Sequence, residues 1–451
     1  MGQTLLLKNI RHLVTCDEQD RMLEHTNLLI ENGVISHIGP EAPAGVETLD
    51  ASGMAVYPGL VNTHHHLCQI LTRNLPGVQH LELFDWLTAL YGLWKNLTEE
   101  GVYHSSLAGM GELAKHGCTT VFDHHYVYPR QSGDLTAAQF QAAQEAGVRF
   151  VAARGSMSLS RKDGGLPPDS VVQTVEEILS DSQRLAARYH DAAPFSMRQI
   201  VFAPCSPFSV TEDLMRETAG LARSLGVRLH THLAETRDEE AFVLGKTGMR
   251  PLAYMQSLGW TGPDVWFAHG VHFNDAELRL LAETGTGVAH CPASNMKLAS
   301  GVARVPEMLA LDVPVGLAVD GSASNDSSNL LAELRVAYLL HRLGSAARAP
   351  GGYAWLKVAT RGGARVLGRA DIGHLAPGMA GDLFAVRENR LELAGATADP
   401  AGMLATVGLG GPVDLTVVEG RVIVRDGRLA NVDEEKLSEQ VARDAARLVG
   451  G

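Results

Sequence analysis

The chain has 451 residues, 45% of them apolar and 20% charged, and its 51 acidic against 38 basic side chains give a net charge of −13. That length accommodates a large catalytic domain with an accessory one. The acidic balance argues against a polyanionic partner such as nucleic acid, because no surplus of Lys and Arg is present to neutralise phosphates. A small neutral or cationic molecule fits better.

Met1 to Asn9 lacks the basic segment, apolar core and small-residue cleavage site of a secretory signal, and no apolar run reaches membrane-spanning length. The chain therefore reads as cytoplasmic, without a membrane partner. The five cysteines (Cys16, Cys68, Cys118, Cys205, Cys291) are scattered and form no CxxC pair. This suits a reducing compartment and argues against a thiolate zinc site.

In chain order, residues 1–56 read as short strands: Leu5-Leu6-Leu7, then Asn27 to Glu31, a turn at Asn32-Gly33, and Val34 to Ile38. Asn-Gly between two apolar runs predicts a hairpin, since both positions tolerate positive φ. From 57 to 370, strand-like runs alternate with helix-like ones. The apolar lead-in Ala55, Val56, Leu60, Val61 predicts one buried strand before His64, followed by strands at Thr119–Asp123, Val148–Ala153, Gln199–Ala203, Val227–His232, Val265–His269, Gly287–His290 and Val315–Asp320. Eight alternating units are the pattern of a (β/α)8 TIM barrel in the α/β class. Over 371–451 the β pattern returns at Asp382–Val386, Leu415–Val418 and Arg421–Val424, before a terminal helix at Glu434–Leu448. The N- and C-terminal strands are expected to pair into one small β-sandwich, because each set alone has too few strands to bury its faces.

Barrel chemistry sits where the strands end. His64 and His66 follow the first strand, His232 and Glu235 the fifth, His269 the sixth and Asp320 the eighth. Two imidazoles two residues apart on a strand share a face and suit a borderline cation such as zinc, whereas His65 points the other way. Any one of these residues alone also fits a hydrogen-bonded structural role. Their recurrence at strand ends favours a single site.

At these residues a family resemblance becomes specific. PGLVNTHHH, the HTHLAE around His232, AHGVH at His269, HCPASNMKLASG from His290 and VDGSASND from Asp320 resemble, in order, the motifs of the amidohydrolase superfamily. The resemblance covers essentially the whole chain. It is with the branch of aminohydrolases acting on purines, pterins and triazines.

That resemblance implies that His64, His66, His232 and Asp320 hold one divalent ion, zinc or else ferrous iron. No lysine stands at the end of the fourth strand, where two-metal relatives carry one, so the site reads as mononuclear. A metal in such a ligand set lowers the pKa of its water toward neutrality. Glu235 would protonate a ring nitrogen of the substrate, Asp320 would take the proton of the attacking water, and His269 would support the hydroxide. The products would be a carbonyl compound and ammonia.

Four further residues are candidates for substrate contact. Gln69 offers donors and an acceptor to a lactam edge. Trp86 either covers a flat ring or packs. Arg154 either meets an acceptor oxygen or holds a structural ion pair, and Cys205 lines the pocket or serves as a small hydrophobe. The HHHLxQxLTRNLP, FDWLTALY, ARGSMSLS and APCSPFS segments resemble those of 8-oxoguanine deaminases, which form urate. Isoxanthopterin deaminase, a hydroxytriazine or chlorotriazine hydrolase, and a non-catalytic barrel are the alternative readings. Relatives of this kind commonly form homo-oligomers, and the sequence leaves the oligomeric state open.

Overall fold

The computed structural model describes residues 4–41 and 43–450. Eight strands, Leu60–Asn62, Cys118–His125, Arg149–Ser156, Arg198–Pro204, Arg228–Leu233, Val265–His269, Gly287–His290 and Val315–Leu317, lie side by side in chain order. The pairings are parallel. The sheet closes where the Thr63 amide donates to the Leu317 carbonyl at 3.3 Å and the Thr63 hydroxyl to the same oxygen at 3.1 Å. This is the expected (β/α)8 barrel.

Every residue of Cys118–His125 and of Arg149–Ser156 is buried, as befits parallel strands covered by helices outside and side chains inside. Alternation divides them. Phe122, Val151, Val201 and Trp266 fill the interior, whereas Val121, Phe150, Phe202 and Phe267 meet the helices.

The apolar run before His64 is not one strand. Met54–Pro58 pairs antiparallel with Leu383–Arg387 in a second sheet, and only Leu60–Asn62 belongs to the barrel. The chain changes sheets at Gly59, whose amide donates to the Asp382 carbonyl at 3.0 Å. A Cβ there would lie 2.1 Å from the Thr119 hydroxyl, so a side chain would block the crossing.

The second sheet is mixed and has nine strands. Its order runs Arg428–Leu429, Arg421–Arg425, Leu415–Val418, Leu383–Arg387, Met54–Pro58, Thr4–Val14, Met22–Glu31, Val34–Gly39, with Glu47–Asp50 added beside Thr4–Val14. The termini meet where Tyr57 stands opposite Phe384. Leu5, Leu7, Ile30, Leu383, Ala385 and Val417 share one core, which neither terminus could bury alone. Asn32 and Gly33 take φ of 53° and 80° in the expected hairpin.

The terminal helix Glu434–Gly450 lies against helix Glu99–Lys115, where His104 Nδ1 meets Asp444 Oδ2 at 2.7 Å. Its Leu448 joins the apolar cluster containing Trp86 and Leu87, so the chain terminus backs one wall of the site. Among the described residues no helix is long and apolar enough to cross a membrane.

Candidate metal centre and active-site cavity

His64 and His66 lie beyond the first barrel strand in irregular backbone, so strand alternation does not aim them. Cross-barrel hydrogen bonds do. The His64 carbonyl accepts from the Asp320 amide at 3.2 Å and the His65 carbonyl from the His124 amide at 2.7 Å. His65 turns away, its Nε2 3.0 Å from the Ser328 hydroxyl.

Main-chain carbonyls fix the imidazole tautomers, since a carbonyl can only accept. His66 Nδ1 donates to the His124 carbonyl at 2.7 Å and His232 Nδ1 to the Cys205 carbonyl at 2.6 Å. His230 Nδ1 donates to the Trp266 carbonyl at 2.9 Å, and its Nε2 then accepts from His64 Nδ1 at 2.9 Å. Burial, reinforced by neighbouring imidazoles, pushes His66, His230 and His232 well below the usual histidine range, so they are neutral. Each of His64, His66 and His232 therefore presents an Nε2 lone pair to a common point.

The Nε2 atoms of His66 and His232 are 3.0 Å apart, and Asp320 Oδ1 is 3.4 Å from Nε2 of both His64 and His66. His64 Nε2 is buried without a hydrogen-bond partner. Lone pairs converging in this way repel unless a cation lies between them. The spacing matches the edge of about 3.3 Å that tetrahedral ligands at about 2.0–2.1 Å from zinc would have. Three neutral imidazoles and a carboxylate fit a borderline divalent metal.

Burial alone would raise Asp320, but it is held well below the usual carboxylate range, with His269 among the groups that oppose burial. Its Oδ1 also accepts from the Gly321 amide at 2.7 Å and its Oδ2 from Ser294 at 2.5 Å and Ser324 at 3.3 Å. Glu235 faces the same centre. Its Oε2 is 3.5 Å from His269 Nε2 and its Oε1 accepts from Ser300 at 3.4 Å. Burial raises its pKa, with His269 opposing. Burial would lower His269, but Glu235 and Asp320 outweigh it and raise it. His269 and Asp320 have positive φ, 74° and 62°, as does Ala234 beside Glu235 at 54°, so backbone strain clusters at this centre.

The metal centre opens into a cavity with about 360 Å³ of unfilled space, counting space open to solvent. Leu83, Trp86, Leu87, Phe208 and Leu298 provide apolar walls, and Gln69, Cys205 and Ser324 provide polar edges. Gln69 Oε1 is held by the Ala323 amide at 3.3 Å. Gln69, Trp86 and Cys205 thus line one cavity.

Arg154 does not. Its neighbour Ala153 points into the barrel, so Arg154 points outward, where Asp181 at 2.8 Å, Gln173 at 2.9 Å and the Tyr128 ring engage its guanidinium. It is a structural cation. His124, which sequence reading passed over, belongs to the imidazole cluster with His64, His66 and His232. Its signal was present, because it too stands at a strand end. Asn295, whose Oδ1 receives His269 Nδ1 at 2.9 Å, was also missed.

The model of the amidohydrolase family matches residues 55–423. The chain belongs to the amidohydrolase family. An 8-oxoguanine deaminase of Pseudomonas aeruginosa is 45% identical over 94% of this chain and 95% of its own. A hydroxydechloroatrazine ethylaminohydrolase of Pseudomonas sp. (strain ADP) is 43% identical over 96% of this chain and 94% of its own. A crystal structure of an atrazine chlorohydrolase from Arthrobacter aurescens TC1 complexed with zinc superposes with a TM-score of 0.94 at 32% identity, covering 98% of this chain and 100% of that one. This amidohydrolase is accordingly a hydrolase acting on carbon–nitrogen bonds, with a histidine-rich metal-binding site.

Proposed function

We infer that the protein hydrolytically deaminates an amino-substituted, purine-like heterocycle, and that its substrate is 8-oxoguanine, converted with water to urate and ammonia. His64, His66, His232 and Asp320 would hold one zinc or ferrous ion. That ion, when bound, supplies the Lewis acidity that brings a water pKa toward neutrality.

The protein's own groups account for the proton traffic. Asp320 receives a proton from the attacking water, and His269, held by Asn295, supports the developing negative charge. Glu235 enters protonated and gives its proton to the ring nitrogen beside the amino-bearing carbon, drawing electrons from the C–N bond under attack. Collapse breaks the exocyclic C–N bond: the amine takes the proton held on Asp320 and leaves as ammonia, the new hydroxyl returns a proton to Glu235, and a ring carbonyl remains beside the protonated nitrogen. The apolar walls around Trp86 and Phe208 suit a flat ring and exclude bulk water, while the Gln69 amide faces a lactam edge.

The observation that carries this reading is the opening of one cavity onto both the converging Nε2 lone pairs and a buried Glu235 of raised pKa. The choice of 8-oxoguanine rests on the likeness to the P. aeruginosa deaminase. The nearly equal likeness to the ethylaminohydrolase supports a second reading, in which an alkylamine leaves a hydroxytriazine. A panel of 8-oxoguanine, guanine, isoxanthopterin and N-alkylaminotriazines, scored for ammonia or alkylamine release, tests both. The proposal expects ammonia from 8-oxoguanine fastest; turnover of triazines alone would replace it with the second reading.

A further inference from the structure

Glu235 is delivered by a turn rather than by its strand. The strand Arg228–Leu233 ends, Ala234 takes left-handed backbone at φ 54°, and Glu235 follows. Such backbone is unfavourable for a residue with a side chain and persists only where the surroundings impose it. It turns two consecutive amides the same way, toward a single carboxylate. The Ala234 amide donates to Glu239 Oε1 and the Glu235 amide to Glu239 Oε2, each at 2.8 Å. Successive amides flanking a left-handed residue form a concavity suited to acceptor oxygens, and here both oxygens of the Glu239 carboxyl group occupy it.

Glu239 is the third residue of helix Arg237–Thr247, whose N-cap Thr236 accepts the Glu239 amide at 3.3 Å. In a capping box the carboxylate at this position returns to the amide of the N-cap residue itself. Glu239 instead reaches past Thr236 to the two residues before it. It is fully buried and does not line the cavity. Capping alone would require neither the burial nor the longer reach.

We propose that Glu239 is a positioning residue, whose carboxylate locks the backbone of residues 234–235 so that the Glu235 side chain is held beside His269 and above the metal centre. This rests on Glu235 being the proton donor. Glutamine at 239 would still serve a helix cap. It has only one carbonyl oxygen, however, so its NH2 must face one of the two amides, and the clamp opens. Aspartate keeps both oxygens on a shorter arm.

Metal-loaded wild type, Glu239→Gln and Glu239→Asp are compared for kcat and KM on the best substrate of the panel, metal per chain, and amide hydrogen exchange over residues 233–236. For Glu239→Gln the proposal expects one ion per chain, KM near wild type, kcat lower on the order of 10²-fold, and faster exchange confined to that segment. Glu239→Asp should recover part of kcat. Wild-type kcat in metal-replete Glu239→Gln overturns it, as does unchanged exchange at 233–236 or exchange that rises throughout the protein. If Glu239→Gln fails to fold, a wild-type kcat in Glu239→Asp overturns it. If wild type turns over no panel compound, the functional reading fails separately, and exchange alone judges the clamp.

Discussion

His66 Nε2 and His232 Nε2 face each other at 3.0 Å with no proton to share, because both Nδ1 hydrogens are spent on the carbonyls of His124 and Cys205. A cation relieves this arrangement. Metal analysis of the purified protein is therefore expected to return one divalent ion per chain. Chelation should abolish turnover and lower the melting temperature, and zinc or ferrous ion should restore both. Two ions per chain would contradict the mononuclear reading.

Glu235→Gln keeps the size of the side chain and removes the transferable proton. Metal content should stay at the wild-type level while kcat falls by about 10²- to 10⁴-fold, the usual range for a lost general acid or base. Because burial raises the Glu235 pKa, the protonated form persists above the ordinary carboxylate range, and kcat should fall as pH rises through that raised value. Full activity in the variant would remove Glu235 from the mechanism.

His65 is as buried as its neighbours but bonds to Ser328 instead of the metal centre, and burial holds its pKa down to about 3. His65→Gln should keep the metal and most of kcat while losing about 1–3 kcal/mol of stability. His64→Ala and His66→Ala should lose the metal. Equal metal loss in all three would contradict the assignment.

Glu333 joins the short helix Pro292–Lys297 to the loop that follows Asp320. Its Oε1 accepts from Asn325 at 2.9 Å and its Oε2 from the Ala293 amide at 3.2 Å, next to Ser294 and Asn295. Burial pushes its carboxyl from 4.5 up to about 8, against those hydrogen bonds. The folded state thus holds a proton that the unfolded chain releases near pH 4.5. The associated stability is complete below that pH and is lost as pH rises toward 8. Denaturant unfolding should find wild type losing stability relative to Glu333→Gln across this window, by up to about 1.4 kcal/mol per pH unit. A flat or rising difference would contradict it.

The barrel was legible because eight apolar runs alternate with helical ones, and the centre because His64, His66, His232, His269 and Asp320 stand at strand ends. The sheet change at Gly59 was not legible, since Ala55 to Val61 is apolar on both sides of it and only the close approach to Thr119 separates the sheets. For Arg154 the sequence left an acceptor contact and a structural ion pair both open, and alternation with Ala153, which turns it outward to Asp181, decides for the ion pair. The tautomers were beyond sequence reading for a different reason. They are set by the main-chain carbonyls of His124, Cys205 and Trp266, which every residue type possesses.

The most direct test of the account is to incubate metal-replete enzyme with 8-oxoguanine and follow loss of substrate, urate and ammonia together. The account predicts urate and ammonia appearing one for one with substrate consumed, at a kcat/KM above that for guanine or any triazine. No urate from 8-oxoguanine, with a triazine or pterin turned over by the same preparation, would contradict it.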